Sequence, residues 1–109
     1  MGLIIQKSTG SFHSAESGAV LTELYGRVSF SAGPSGTKID VSVAVYTTEQ
    51  AYTENYAPVS IQEKADIELQ KTFPVADSTE QTTLVAHNKM KTYLESPEGG
   101  EYVVSIVGL

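Results

Sequence analysis

The chain has 109 residues, no cysteine, and 13 acidic against 7 basic side chains, for a formal net charge of −6. That length fits one modest core, since domains typically hold about 100–150 residues, so we expect a single β-rich domain over residues 1–109. The absence of cysteine excludes disulfides, thiolate metal sites and a cysteine nucleophile. The acidic balance argues against general nucleic-acid binding, which needs a basic surface.

The sequence shows no targeting or membrane signal. Met1–Lys7 lacks a basic region ahead of its short apolar run, so we expect no signal peptide. No apolar stretch approaches the roughly 18 residues that span a bilayer, and no lysine and arginine cluster would attract anionic lipid. The sequence therefore predicts a soluble protein, made in a reducing compartment, that contacts no membrane.

Three segments in the first half of the chain predict β-strands. Leu3–Ile5 is a short apolar run that predicts a buried strand. In Val20–Phe30 and Lys38–Tyr46 apolar and polar residues largely alternate, which places them on opposite faces of a strand. The glycine- and proline-rich stretch Ser31–Gly36 predicts the turn between these two strands.

Val59–Phe73 predicts a further strand and completes a three-stranded meander. Its odd positions are mostly apolar and its even positions are all polar, the pattern of an antiparallel sheet with one wet face. Fifteen residues would span roughly 50 Å, so we expect a bend, a bulge or an extension beyond the body. Glu63 and Lys71 interrupt the apolar face. They either mark where the strand leaves the core or pair with charges on a neighbouring subunit.

One helix is predicted over Ser78–Glu95. Asp77 or Ser78 caps it, each with an acid or amide three residues on, and a proline and two glycines end it. Its apolar stripe is Ala86, Met90, Tyr93 and Leu94. The alternative is a strand around Thr82–Ala86.

The final strand, Tyr102–Val107, is apolar on both faces, which predicts a central place in a sheet or between layers. The order is then β-β-β-β-α-β. The sequence predicts an α+β, mainly β fold: an antiparallel meander or sandwich of about five strands with one packed helix.

No pattern of catalytic or metal-binding residues emerges. His13 and His87 lie far apart without metal-ligand spacing, and we expect each to be solvated or at a boundary. Glu95, Glu98 and Glu101 favour a solvated turn over a calcium site. Since no nucleophile and base can be paired, we predict a protein that is not an enzyme, with no catalytic residue, metal or cofactor.

The segment Tyr46–Pro58 joins the two best strands and holds three of the six tyrosines. Tyrosine is enriched in protein interfaces, so the segment predicts contact with a partner; alternatively, one or two tyrosines fold back to cover the sheet. The predicted partner-binding residues are Tyr46, Tyr52, Glu54, Tyr56, Glu63 and Lys71.

Four features belong together: the start Met1–Ile5, the long Lys38–Phe73 hairpin, the helix Ser78–Glu95 and the terminal strand Glu101–Leu109. In this combination the chain resembles small bacteriophage virion structural proteins of the neck, tail or capsid-associated type. Phage tail-tube and tail-completion proteins are similar in combining a β-sandwich, a flanking helix and a long loop that contacts the next subunit. The resemblance implies a homo-oligomeric ring or lattice, contacts with neighbouring virion proteins, and localisation to the virion after synthesis in the host cytoplasm.

The alternative function is a small carbohydrate- or protein-binding module that uses Tyr52 and Tyr56. Composition alone does not separate a sugar from a protein as the partner of that segment. In neither case does the sequence predict sequence-specific nucleic-acid binding, membrane contact or a small-molecule substrate. A small enzyme or inhibitor has the weakest support, because no reacting pair of side chains can be named.

Overall fold

A computed structural model describes residues 1–15, 17–33, 36–61 and 69–108. The elements in chain order are β1 (Gly2–Gln6), β2 (Phe12–His13), β3 (Val20–Leu21), β4 (Leu24–Ala32), β5 (Lys38–Tyr46), α1 (Glu49–Thr53), β6 (Gln70–Pro74), a 3-10 turn (Ser78–Glu80), α2 (Thr83–Glu95) and β7 (Val103–Val107). Five strands form one antiparallel sheet in the order β6-β5-β4-β1-β7, and β2 pairs with β3 in a second, two-stranded sheet. The prediction of a mainly β, α+β fold with one main helix is confirmed.

Strict alternation predicted the central strands well. β5 has the predicted bounds, and β4, β5 and β6 are antiparallel neighbours, as the meander requires. The prediction of one strand over Val20–Phe30 is wrong, because the chain leaves the extended path at Thr22 and Glu23. Val20–Leu21 then pairs with β2, whereas the residues from Leu24 onward pair within the main sheet.

The core lies between one face of the main sheet and α2. The strand residues on this inner face include Leu3, Ile5, Leu24, Ile39, Val41, Val43, Val45, Phe73 and Val104, all buried. Helix α2 covers them with Ala86, Met90 and Leu94, each with no exposed surface. The predicted apolar stripe of the helix is therefore confirmed, and Tyr93 lies half-buried at its margin.

The prediction that the last strand lies centrally is wrong, because β7 is an edge of the main sheet. Its inner-face residue Val104 is buried, in a strand that packs against α2, while Val103 on the outer face is 47% exposed. The strand is apolar on both faces although only one face is covered by a helix. An apolar sequence on both faces is therefore not sufficient evidence for a central strand.

The described part of Val59–Phe73 is strand only from Gln70 onward. The Val59 N–H donates to the Val45 carbonyl at 2.8 Å, and Ile61 forms an isolated bridge with Ser14. This end of the segment therefore contacts β5 through Val59 and, through Ile61, the residue that follows β2. The predicted continuation through residues 62–68, which includes Glu63, lies outside the described residues.

The helix begins five residues later than predicted, at Thr83. Asp77 caps only the 3-10 turn, and a second cap, the Thr82 hydroxyl, accepts the Val85 N–H at 3.3 Å. Two successive capping residues thus start two separate helical segments. The alternative of a strand around Thr82–Ala86 is wrong, and α2 ends at Glu95, ahead of the proline and glycines as predicted.

The Asp77 cap predicts an acid-sensitive contribution to stability. Hydrogen bonds from the hydroxyl and N–H of Thr79 lower the pKa of Asp77 below its ordinary value of 3.8. The charged cap therefore stabilises the fold above that value, and this contribution is lost as the pH falls below it. Asp77→Asn keeps a capping side chain but does not titrate. In urea unfolding against pH, we expect the stability of wild type relative to Asp77→Asn to decline below about pH 4. Parallel pH curves would contradict this.

His87 is buried, not solvated or at a boundary as predicted: it is 1% exposed on the inner side of α2. Its Nδ1 lies 2.6 Å from the Thr83 carbonyl oxygen, so Nδ1 carries the proton and donates. Nε2 has no hydrogen-bond partner among the described residues. Within the described part of the chain the ring therefore buries an acceptor that receives no hydrogen bond, an arrangement that costs free energy.

We accordingly expect His87→Leu to raise the free energy of unfolding by about 1 kcal/mol, because it removes that acceptor and keeps an apolar side chain in the site. Chemical denaturation at neutral pH measures the change. A loss of stability would contradict this expectation.

Candidate functional site

The segment predicted to contact a partner contains a short helix that the sequence analysis missed. The Thr48 hydroxyl caps α1 by accepting the Ala51 N–H at 3.0 Å. At the other end Asn55 adopts a left-handed φ of 63°, and the Tyr56 N–H reaches back to the Ala51 carbonyl at 3.0 Å. With the Asn55 N–H bonded to the Tyr52 carbonyl, this is a Schellman motif, which fixes the direction in which the chain leaves the helix.

Tyr52 attaches α1 to the outer face of the main sheet, the face opposite α2. Its ring centroid lies 5.3 Å from that of Tyr46 and 6.1 Å from that of Tyr25. The Arg27 guanidinium carbon lies 4.4 Å from the Tyr52 ring centroid. These four residues, Tyr25, Arg27, Tyr46 and Tyr52, form a tyrosine–arginine cluster. Tyr46 and Tyr52 therefore cover the sheet, which is the alternative that the sequence left open.

Arg27 holds the cluster together by hydrogen bonds as well as by stacking. Its Nη1 donates to the Met1 carbonyl at 2.7 Å and to the Tyr25 hydroxyl at 3.3 Å. The hydrogen bond with Tyr25 raises the pKa of the already basic guanidinium, so Arg27 stays charged. Tyr25 itself lies against Gly2, where a Cβ atom would come within 2.6 Å of the tyrosine oxygen. The cluster is thus a packed anchor for α1.

Sequence reasoning missed Tyr25 and Arg27. Both lie at β4 positions whose side chains face away from Leu24 and the core, on the face that the alternating pattern predicts to be mostly polar. The signal was that this face carries an aromatic residue beside an arginine, a pair that stacks favourably. Their partner Tyr52 is 25 or more residues away in sequence, so the contact itself was not visible.

Beyond the cluster, the outer face is mostly polar where β4, β5 and β6 lie side by side. Side chains with hydroxyl, amide or carboxylate groups line a shallow depression of about 760 Å³: Ser29, Ser31, Asp40, Ser42, Gln70 and Thr72. The Thr72 hydroxyl donates to the Asp40 carboxylate. The depression offers hydrogen-bonding groups to a polar ligand, although one Asp40 oxygen is already engaged.

Helix α1 and the residues that follow it carry exposed acidic and aromatic side chains, which we call the knob: Glu49 in the first turn, Glu54 at the C-cap, and Tyr56. Tyr56 is 64% exposed, and both glutamates are exposed. The Glu54 carboxylate accepts one hydrogen bond, from the Gln50 side chain at 3.2 Å. Of the predicted partner-binding residues, Glu54 and Tyr56 therefore do face outward.

Lys71 lies on the other side of the sheet, away from the knob. It occupies an inner-face position of β6, in register with Val41, and its Nζ lies 4.6 Å from the Tyr93 ring centroid. Lys71, Phe73, Val85, Lys89 and Tyr93 line an open, largely apolar groove of about 590 Å³ between β6 and α2. We call it the Lys71–Lys89 groove. Lys71 is half-buried and is not brought near the tyrosines of the knob segment.

The histidine and glutamate residues considered as possible metal ligands do not form a site in the described part of the chain. His13 lies half-buried in β2, and Glu95 pairs with Lys91 at 2.7 Å on α2. Over the described ranges, no three His, Asp or Glu side chains are grouped so as to hold a metal ion. Nor does that part of the chain contain a helix with the length and hydropathy to cross a membrane.

No known protein family matches the chain, and neither does any curated protein or solved structure.

Proposed function

We propose that the chain is a non-enzymatic structural subunit of a bacteriophage virion, which assembles with copies of itself into a ring or lattice at the neck, tail or capsid. One observation carries the assembly part of the proposal: an exposed aromatic knob on a firmly anchored connector. The virion part comes from the sequence resemblance to small phage structural proteins.

The anchoring favours a contact surface over an ordinary solvated loop. The tyrosine–arginine cluster packs α1 on the sheet, and the Schellman motif at Asn55 sets the path of the chain into Tyr56. A surface that is ordered before binding loses less conformational entropy when a partner arrives. Tyrosine in such a position supplies a large contact area with few rotatable bonds.

The two sheet edges also differ in a way that fits assembly. Edge strand β6 carries Lys71 and Pro74, residue types that discourage pairing with a further strand. Edge strand β7 carries neither a charge nor a proline, and its Val103 is 47% exposed. The Glu95 carboxylate accepts the Val104 N–H at 3.5 Å, so α2 covers part of this edge. The rest of the β7 edge is a second surface on which a neighbouring virion protein could dock.

Size-exclusion chromatography with light scattering tests self-association over a range of concentrations. We expect the mass to rise from 11.7 kDa to multiples of it as the concentration increases. A chain that stays monomeric at high concentration, alone and with neighbouring virion proteins, would contradict the proposal. Detection of the chain in purified phage particles tests the virion part separately.

A carbohydrate-binding module is the second candidate. The hydroxyl-lined depression on the outer face, beside the tyrosine–arginine cluster, is the observation that favours it. Because Arg27 already stacks on Tyr52, the depression is a better sugar site than that ring. Glycan-array binding that is lost in Ser42→Tyr, which fills the depression, would support this candidate, and a blank array would reject it.

A further inference from the structure

We infer that the knob of one copy inserts into the Lys71–Lys89 groove of a second copy, so that subunits join head to tail. The inference rests on the proposed self-assembly and names the two surfaces that carry it. It follows from three properties of the described residues: the groove is apolar and basic, the knob is aromatic and acidic, and the two lie on opposite sides of the sheet.

The floor of the groove is apolar and is open among the described residues. Phe73 and Tyr93 pack edge to face with their ring centroids 6.1 Å apart, and Val85 on α2 is half-buried beside them. At Lys71 the inner face of β6 carries a lysine where its register partner on β5 is the buried Val41. The edge of the core is therefore left open between β6 and α2, with a volume of about 590 Å³ that can admit an aromatic ring.

The groove is flanked by basic side chains, although the chain as a whole is acidic. Two of its seven basic residues, Lys71 and Lys89, flank the groove in a protein of net charge −6. Neither forms an ion pair with a carboxylate of the described residues, whereas the neighbouring Lys91 is paired with Glu95 at 2.7 Å. Among the described residues one carboxylate lines the groove, that of Glu80, and it accepts the Ala76 N–H at 2.6 Å. The described lining of the groove thus carries two ammonium groups and one carboxylate around an apolar floor, and its net charge is positive in an acidic chain.

The knob has the complementary chemistry. Tyr56 supplies an exposed aromatic ring, and Glu49 and Glu54 supply exposed carboxylates on the same short helical segment. An aromatic side chain in an apolar pocket with oppositely charged groups at the rim is the usual anatomy of an interface. Complementary charges also raise the association rate and suppress wrong partners.

The two surfaces are placed so that a copy does not fill its own groove. α1 is anchored through Tyr52 to Tyr25 and Arg27 on the outer face, whereas the groove opens beside α2 on the inner face. The contact must therefore join different patches on different copies, which is a heterologous interface. Repetition of such an interface gives a closed ring or an open filament, depending on the rotation between subunits.

Charge reversal tests the inference with the full chain. The groove variant is Lys71→Glu/Lys89→Glu, and the knob variant is Glu49→Lys/Glu54→Lys. We expect each variant alone to associate at least tenfold more weakly than wild type, because like charges then face each other in every contact. An equimolar mixture of the two should recover the wild-type affinity, since each acidic surface then meets a basic one on the other variant.

The matched control is Lys7→Glu/Lys38→Glu, which makes the same change in net charge, from −6 to −10, at two residues that do not line the groove. It should associate as wild type does at ~0.15 M salt, because remote surface charges are screened over about 8 Å. Equal weakening by this control, or no recovery in the mixture, would overturn the inference. Circular dichroism confirms that each variant is folded.

The outcomes also separate this inference from the proposed function. If wild type assembles and both reversed variants assemble equally well, the inference is wrong and the proposed function survives. If Val103→Lys abolishes assembly while the reversals do not, the β7 edge is the interface instead. If wild type never associates, the proposed function fails and the inference fails with it.

Discussion

Leu94→Ala should lower the free energy of unfolding by about 3 kcal/mol, within the range of about 2–5 kcal/mol seen for buried leucines. Leu94 has no exposed surface and packs in the core between α2 and the sheet. The substitution removes buried apolar surface and leaves a cavity that the rigid sheet cannot fill. Because α2 also forms one wall of the Lys71–Lys89 groove, assembly should weaken at temperatures where the variant begins to unfold.

Leu84→Ala is the matched control, with the same chemical change on the same helix. Leu84 is 47% exposed and lies off the apolar stripe, so its truncation should change stability by no more than about 0.5 kcal/mol. Urea unfolding of both variants, followed by circular dichroism, measures the two values. Similar losses for both variants would mean that α2 does not pack on the sheet through the face described.

Tyr52→Ala should destabilise the protein and Tyr56→Ala should not, although both variants remove a tyrosine from the same connector. Tyr52→Ala should lower the free energy of unfolding by about 2 kcal/mol, since it deletes two aromatic contacts and the stacking of Arg27. Tyr56→Ala should leave stability within about 0.5 kcal/mol of wild type, because that ring is 64% exposed.

In assembly, we expect the exposed ring of Tyr56 to matter and the hydroxyl of Tyr52 not to matter. Below the unfolding transition of either variant, Tyr56→Ala should weaken self-association at least tenfold, and Tyr52→Phe, which keeps the ring, should associate as wild type does. Thermal unfolding and light scattering on the same samples separate the two roles. An unstable but fully assembling Tyr56→Ala variant would show that Tyr56 belongs to the anchor and not to the knob.

Strand β5, next to β4 and β6 in the sheet, could be predicted because its sequence follows a strict period of two. β5 matches its predicted bounds, since Ile39, Val41, Val43 and Val45 alternate without interruption and all four are buried. The position of β7 could not be predicted in the same way. Its sequence is apolar on both faces, yet only contacts made elsewhere in the chain decide whether a strand is central or at an edge.

The short helix α1 was missed because five residues are too few to show a helical period. Its capping residues, Thr48 and Asn55, were present in the sequence, but such residues are also common in turns. The start of α2 was misplaced for a related reason, since Asp77 and Thr82 are both good caps and the chain uses each for a different helical segment.

The candidate site was partly predictable. Tyrosines in the connector and Lys71 on an apolar face stood out from the sequence alone. Which tyrosine is an anchor and which is exposed depends on Arg27 and Tyr25, which come from a strand more than 20 residues earlier. The groove likewise needs β6 and α2 side by side, a long-range contact that no local pattern records.

Disulfide trapping tests the head-to-tail contact most directly, because the chain has no cysteine of its own. One copy carries Ala57→Cys beside the intact knob, and a second, differently tagged copy carries Thr92→Cys in the groove. Mild oxidation of the mixture should give a covalent dimer that contains both tags, in preference to either homodimer. If the two cysteines cross-link no faster than Ala57→Cys mixed with Thr22→Cys, an exposed position away from the groove, the head-to-tail contact does not form.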